Sequence, residues 1–185
     1  MIISISGLPG AGKSMAAKML ADDLGWPVYG MGNLRRQAAA KQNLTLAEYN
    51  QLGETDPETD LAVDRYQSEL GKTQDNFIIE GRTSWHFIPQ SLKIFLRVEP
   101  SIGAERIWRQ LSRDGNQRNE GNNLQTVADV LAANQARLAS DRKRYQQYFG
   151  IDVYDEANYD FVLDTSRLTP EEALVKLKEF IAKRS

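Results

Sequence analysis

The sequence contains no cysteine and a single histidine, His86. Without cysteine the chain can form neither disulfide bonds nor thiolate metal sites, and one histidine between Trp85 and Phe87 gives no metal-binding cluster. No apolar run approaches the roughly 18 residues of a membrane-spanning helix. The first residues also lack the basic region and long apolar stretch of a signal peptide. We therefore expect a cytoplasmic protein that does not contact membranes.

The chain also lacks a strong net charge, since 25 acidic and 23 basic residues give −2 at pH 7. A dedicated nucleic-acid binder presents a strong positive field, so this composition argues against one. Apolar residues make up 41% and charged residues 26% of the sequence, which is typical of globular proteins. A length of 185 residues suits one domain with a substantial core. We predict a single domain over residues 1–185, and a monomer because no coiled-coil heptads are present.

Strand-like and helix-like patterns alternate along the sequence. Short β-branched or apolar runs predict strands at residues 2–6, 28–29, 76–80, 92–98 and 161–163. Helical periodicity and capping signals predict helices at 14–25, in several short pieces up to 70, at 101–111, at 126–150 and from 169 onward. Such alternation predicts an α/β fold with a mostly parallel sheet. Gly, Asn and charged residues between 112 and 126 predict a mobile loop.

A glycine-rich segment, GLPGAGKS, joins the first predicted strand to the first predicted helix. Its spacing matches the phosphate-binding P-loop. The glycines let backbone N–H groups surround an anion, and the positive end of the helix points at the same place. Lys13 can then reach the β- and γ-phosphates of a triphosphate, and the Ser14 hydroxyl can bind Mg²⁺. The predicted triphosphate site comprises Gly7, Leu8, Pro9, Gly10, Ala11, Gly12, Lys13, Ser14 and Met15.

Arginine outnumbers lysine by 14 to 9, and eight arginines fall between residues 97 and 144. Arginine offers phosphate a rigid, two-pronged set of donors. Two groups share helical spacing on either side of the 112–126 segment: Arg106, Arg109 and Arg113 before it, and Arg137, Asp141 and Arg144 after it. Two such stripes can close over phosphates and exclude water, which favours a phosphotransferase over a simple ATPase.

Further stretches, in order and spacing, resemble a known family: VYGMGNLRRQA, FIIEGRTSW, RLASDRKRYQQYFGID and YDFVLDTSRLTPEEA. Together with the P-loop they resemble, over nearly the whole chain, the short cytidylate kinases typical of archaea, within the nucleoside monophosphate kinase superfamily. The resemblance implies a P-loop NTPase fold with a five-stranded parallel sheet and helices on both sides. It also implies a monophosphate-binding insertion at about 31–72 and a lid at about 112–126. ATP would be the phosphoryl donor, Mg²⁺ the cofactor, and CMP or dCMP the acceptor.

The resemblance also implies roles for individual residues. The acceptor phosphate would be held by Arg82 and by one of two arginines after Gly32, Arg35 or Arg36. The catalytic group would be Lys13, Arg82, Arg106, Arg137 and Arg144. Arg137 and Asp141 would also face the acceptor, and Arg109 would face ATP. The adenine of ATP would lie against the loop formed by Asp164, Thr165 and Ser166.

Three carboxylates carry alternative interpretations. Glu80, at the end of a buried strand, either orients a magnesium-bound water or pairs with Arg82. Asp60 and Asp64 lie in the helical insertion, where they are either solvated helix charges or acceptors for the amino group of cytosine. No catalytic base is required, because the second pKa of a monophosphate is about 6 and its dianion is already nucleophilic at pH 7.

Three other functions are compatible with the same sequence. The acceptor could be another monophosphate, such as AMP or UMP. It could also be a small metabolite, as in shikimate-type kinases, in which case a hydroxyl nucleophile would need a carboxylate base. The third is an ATP-binding, RNA-associated switch protein, which would bind nucleic acid with a steep salt dependence.

Overall fold

The computed structural model describes residues 1–115 and 124–184. Its strands are Ile2–Gly7 (β1), Val28–Gly30 (β2), Phe77–Glu80 (β3), Leu92–Arg97 (β4) and Phe161–Asp164 (β5). They form one sheet in the order β2-β3-β1-β4-β5, and every neighbouring pair is parallel. The predicted five-stranded parallel sheet is confirmed, with each strand within about two residues of its expected position.

Helices fill the connections between the strands. They are Lys13–Leu24 (α1), Met31–Lys41 (α2), Leu46–Leu52 (α3), Glu58–Thr73 (α4), Ser84–Phe87 (α5), Pro100–Asp114 (α6), Val127–Phe149 (α7) and Pro170–Ala182 (α8). Reciprocal capping boxes begin three of them, with threonine caps at Thr45, Thr126 and Thr169. The sequence did not distinguish a helix from a turn at α5, because four residues are too few to show a helical period.

Helices cover both faces of the sheet, as predicted. On one face Ile3 and Ile5 of β1 belong to a core shared with α1 and α8. On the other, Ile2 packs with Met31 of α2 and Leu70 of α4. The alternation of side chains along a strand divides them between the two cores.

The connections also position the two segments expected to act on substrates. Helices α2, α3 and α4 occupy the predicted insertion between β2 and β3. The expected lid at 112–126 begins in α6 and ends at the N-terminus of α7, and its residues 116–123 lie outside the described part of the chain. Across the described residues, no helix has both the length and the apolar character needed to span a membrane.

Candidate active site

The P-loop leaves the carboxyl end of β1 and lies against α6. Gly10 has a φ of +77°, and a Cβ at this position would lie 2.3 Å from the carbonyl oxygen of Gly103. Only glycine meets both demands. Within the loop, Lys13 Nζ donates a 2.7 Å hydrogen bond to the carbonyl oxygen of Leu8. The loop is therefore held in a tight conformation with its lysine folded across it.

Ser14 and Glu80 meet beside the loop. The Ser14 hydroxyl donates a 2.9 Å hydrogen bond to Glu80 Oε2. Among the described residues, no three His, Cys, Asp or Glu side chains cluster to hold a metal. One hydroxyl and one carboxylate nevertheless suit Mg²⁺, which retains waters and binds phosphate oxygens alongside few protein ligands. Glu80 does not take the alternative partner considered for it, because Arg82 pairs with Asp141 instead.

A cavity of about 540 Å³ opens beside the P-loop and is bordered by α2, α4, α6, α7 and the end of β3. Arginines reach its wall from several elements: Arg35 and Arg36 from α2, Arg82 after β3, Arg106, Arg109 and Arg113 from α6, and Arg137 from α7. The volume falls in the range of small-molecule sites. Lysine and arginine around one cavity next to a P-loop suit a ligand rich in phosphate.

Asp141 and Arg144 lie behind this wall. Their side chains are 1% and 0% exposed, and Asp141 Oδ1 accepts a 2.5 Å hydrogen bond from Arg144. Asp141 Oδ2 lies 2.6 Å from Arg82 Nε and accepts a 2.6 Å hydrogen bond from Tyr154. Burial would raise the pKa of Asp141, but the guanidinium charges outweigh it and hold the pKa below its ordinary value. The arrangement keeps the carboxylate ionised and aims Arg82.

This placement differs from the lid-side position expected for Arg144 and the acceptor contact expected for Asp141. Both residues share one helical face, as the spacing predicted, but that face points into the protein. Arg144 also donates a 2.5 Å hydrogen bond to Asp60 Oδ2, which fixes α7 against α4. Sequence reasoning missed Tyr154, because it lies in a loop without periodicity.

Arg35 and Arg36 are neighbours with different surroundings. Arg35 is buried, pairs with Asp60 Oδ1, and donates a 2.8 Å hydrogen bond to Asn50 and a 3.2 Å hydrogen bond to the carbonyl oxygen of Thr59. Arg36 borders the cavity and donates a 2.7 Å hydrogen bond to Asn33 of its own helix. Both residues border the cavity, but Arg35 also joins the helices of the insertion through buried contacts, whereas Arg36 is bonded to an exposed side chain of its own helix.

Asp64 borders the cavity with a carboxyl group that is only half satisfied. Its Oδ1 accepts hydrogen bonds from Gln67, at 2.9 Å, and from Thr83, at 3.4 Å. Its Oδ2 is buried without a hydrogen-bond partner among the described residues. Burial, reinforced by the negative charge of Asp60, raises the pKa of Asp64 to about 7. Asp60 differs, because its two oxygens are already taken by Arg35 and Arg144.

We expect the substitution Asp64→Asn to stabilise the protein at pH 8 more than at pH 5. In the folded state the pKa of about 7 exceeds the ordinary 3.8, so native Asp64 binds a proton that the unfolded chain has lost. Wild-type stability therefore falls as pH rises between these values and levels off above about 7. The advantage of the variant grows over the same window, to at most about 4 kcal/mol.

Urea unfolding at both pH values measures this difference. Glu69→Gln, on the exposed side of the same helix, serves as the matched control and should show no such growth. A benefit of Asp64→Asn that shrinks on going from pH 5 to pH 8 would contradict the expected direction.

The expected adenine loop supports the P-loop from outside the cavity wall. The Thr165 hydroxyl donates a 3.1 Å hydrogen bond to the carbonyl oxygen of Ala11. Asp164 Oδ1 accepts hydrogen bonds from the backbone and side chain of Ser166. Arg106 joins this loop to the P-loop, because it donates to the carbonyl oxygens of Thr165, at 2.8 Å, and Gly10, at 3.4 Å. Thr165 therefore braces the phosphate cradle, and none of the three loop residues borders the cavity described above.

The other residues of the expected ATP site lie as follows. Pro9, Gly12 and Met15 border the cavity with Lys13 and Ser14. Arg109 also borders it, and its exposed guanidinium pairs with Glu105 one helical turn earlier. Gly32 borders the wall that α2 contributes. Gly7, Leu8 and Ala11 contribute backbone to the loop rather than to the wall.

Curated relatives match this chain over most of its length. A cytidylate kinase of Methanothermobacter thermautotrophicus is 34% identical over 171 residues, which covers 92% of this chain and 99% of the relative. A cytidylate kinase of Methanocella arvoryzae is 37% identical over 167 residues, with 90% and 89% covered.

Solved structures share the fold at low sequence identity. A shikimate kinase from Bacteroides thetaiotaomicron has a TM-score of 0.64 at 15% identity, with 98% of both chains covered. A protein from Eubacterium ventriosum has a TM-score of 0.70 at 16% identity, again with 98% of both chains covered. These likenesses establish the P-loop kinase fold alone. The family itself is given by the sequence match, which spans residues 2–167, and the chain belongs to the cytidylate kinase-like family.

Proposed function

We propose that this protein is a cytidylate kinase, which transfers the γ-phosphoryl group of ATP to CMP or dCMP. The observation that carries the proposal is one cavity bordered by the P-loop, by arginines from separate elements and by the buried carboxyl group of Asp64. Family membership and the cytidylate kinases among its relatives support the same acceptor.

ATP binds with its phosphates in the P-loop. Lys13 exchanges the carbonyl oxygen of Leu8 for phosphate oxygens, and the backbone N–H groups of the loop surround the β-phosphate. Ser14 and Glu80 would hold Mg²⁺, Ser14 directly and Glu80 through water, and the cation would offset negative charge on the phosphates. Arg109 is placed to meet the donor from α6.

The acceptor phosphate lies between Arg36 and Arg82. Both Arg35 and Arg36 border the cavity, but Arg35 is held by Asp60 in a buried ion pair, so we assign the phosphate contact to Arg36. Arg82 is aimed by Asp141 and Tyr154 and therefore needs little rearrangement to accept an anion. Arg137 lies on the same wall and adds positive charge near the transferring group. Arg106 and Arg144 act indirectly, because they hold in place the loops and helices that carry these groups.

The reaction depends on position and charge. The acceptor dianion attacks the γ-phosphorus in line with the departing ADP oxygen, so no side chain must remove a proton. The cationic groups stabilise charge that spreads over the transferring oxygens. Free nucleotides require no partner chain at this site, and we propose a monomeric enzyme.

The test is ADP release from ATP with separate acceptors: CMP, dCMP, UMP, AMP, GMP and shikimate. We expect turnover with CMP and dCMP to exceed that with AMP, GMP and shikimate, and to vanish when Mg²⁺ is omitted. Lys13→Ala provides the blank. Preferred turnover of shikimate or a purine monophosphate would replace the proposed acceptor, and no turnover with any of them would overturn the kinase assignment for these acceptors.

A further inference from the structure

Asp64 is fixed by a chain of buried polar groups beneath the cavity. Gln67 is fully buried, and its Nε2 donates hydrogen bonds to Asp64 Oδ1, at 2.9 Å, and to Thr83, at 2.8 Å. Its Oε1 in turn accepts a 2.9 Å hydrogen bond from Ser84. The oxygen end of the amide therefore faces Ser84 and the nitrogen end faces Asp64, where an ionised carboxylate can only accept.

This orientation decides where Asp64 can carry a proton. Oδ1 receives an N–H group from Gln67, so an acid proton resides on Oδ2. Oδ2 is the oxygen without a partner among the described residues, and the residue borders the cavity. The ionised carboxyl group thus offers a hydrogen-bond acceptor to a ligand, and the protonated group offers a donor from the same atom.

The surrounding charges leave both forms accessible. Asp60, on the same helix, opposes ionisation of Asp64, whereas Arg35 from α2 favours it. The other charged or titratable residues that border the cavity on the neighbouring elements are Arg36 from α2, Glu80 and Arg82 at the end of β3, and Arg137 and Tyr145 from α7. With the pKa of Asp64 near neutrality, neither form dominates at physiological pH.

The two pyrimidine bases differ in the same property. Cytosine carries an amino group at its 4-position, which donates hydrogen bonds, and uracil carries an oxygen there, which accepts them. We propose that Asp64 Oδ2 meets the 4-position of the acceptor base and makes base selectivity depend on pH. Ionised Asp64 selects cytosine, and protonated Asp64 admits uracil. This inference rests on the proposed function, because it requires a pyrimidine monophosphate in this cavity.

The test is the ratio of kcat/KM for CMP to that for UMP in wild-type protein between pH 6 and pH 8. Ideal behaviour of one titrating group changes the ratio about tenfold per pH unit, and we expect a rise of at least about tenfold across the range. Ionisation of the acceptor phosphate affects both substrates equally and cancels in the ratio.

Asp64→Asn gives a second, independent outcome. Its amide oxygen takes the place of Oδ1 against Gln67, so its NH₂ group replaces Oδ2 and donates at every pH. We expect the variant to favour UMP relative to wild type and to show a ratio that does not change with pH. Glu69→Gln removes an exposed carboxylate from the same helix and should retain the wild-type profile.

The outcomes separate this inference from the proposed function. If CMP is phosphorylated but the wild-type ratio stays constant from pH 6 to pH 8, the inference is overturned and the kinase assignment stands. The wild-type profile needs no variant, so this result is decisive even if Asp64→Asn does not fold. If neither CMP nor UMP is phosphorylated at any pH, the proposed function fails.

Discussion

Replacement of Lys13 by alanine should lower kcat by on the order of 10²–10³-fold while leaving the protein folded. Lys13 begins α1 and is only partly buried, and it donates a 2.7 Å hydrogen bond to the Leu8 carbonyl within the same loop. The loop also depends on contacts that the substitution leaves in place, such as Gly10 against Gly103. Stability should therefore change little.

The loss should fall mainly on kcat. Charge on the transferring oxygens is greatest in the transition state, so a fixed cation stabilises that state more than bound ATP. ADP release at saturating ATP and CMP measures the effect, and thermal unfolding verifies the fold. Lys72→Ala, an exposed lysine in the last turn of α4, is the matched control and should behave as wild type. Activity of Lys13→Ala within about threefold of wild type would contradict a phosphate-binding role.

Replacement of Asp141 by alanine should destabilise the protein by about 3–5 kcal/mol. The substitution leaves Arg144, which is 0% exposed, with one carboxylate instead of two, and leaves Arg82 without its carboxylate partner. An unpaired buried charge is costly because neither water nor a counter-ion can solvate it. At about 2–4 °C per kcal/mol for a protein of this size, the melting temperature should fall by roughly 6–20 °C.

The appropriate control breaks an ion pair at the surface of the same helix. Lys143 pairs with Glu54 at 2.5 Å, and Lys143 is 60% exposed. Glu54→Gln should cost less than about 1 kcal/mol, because water screens the pair and replaces it. Tyr154→Phe tests the network without removing charge and should cost about 1.5–3 kcal/mol, because the hydroxyl donates to Asp141 and accepts from Arg82, both charged. Equal losses for Asp141→Ala and Glu54→Gln, measured by urea unfolding, would refute the special role of the buried network.

Local patterns were sufficient for the phosphate cradle and for most of the fold. The P-loop pattern of Gly7, Gly12, Lys13 and Ser14 lies within one short loop. Eight consecutive residues are therefore enough to identify it. The capping boxes at Thr45 and Thr169 are equally local, because each joins residues three apart. Alternating apolar strands and amphipathic helices then leave few topologies besides a parallel sheet.

Roles that depend on which side chains meet required the tertiary structure. Arg35 and Arg36 are adjacent, and the sequence did not tell which of them would hold a phosphate. In the structure Arg35 is buried in an ion pair with Asp60, and this contact distinguishes the two residues. Arg144 was expected at the lid, yet α7 turns it inward. These outcomes arise from contacts between residues dozens of positions apart.

The sequence by itself therefore determined the P-loop, the order of strands and helices and the resemblance to a kinase family. Only the tertiary structure decided which carboxylate remains available to a ligand. Asp60 and Asp64 occupy the same helical face one turn apart, but two arginines from α2 and α7 neutralise the first. The second keeps an oxygen without a partner beside the cavity. The cost of burying a charge depends on partners that lie far away in sequence, and this is the physical reason the two aspartates differ.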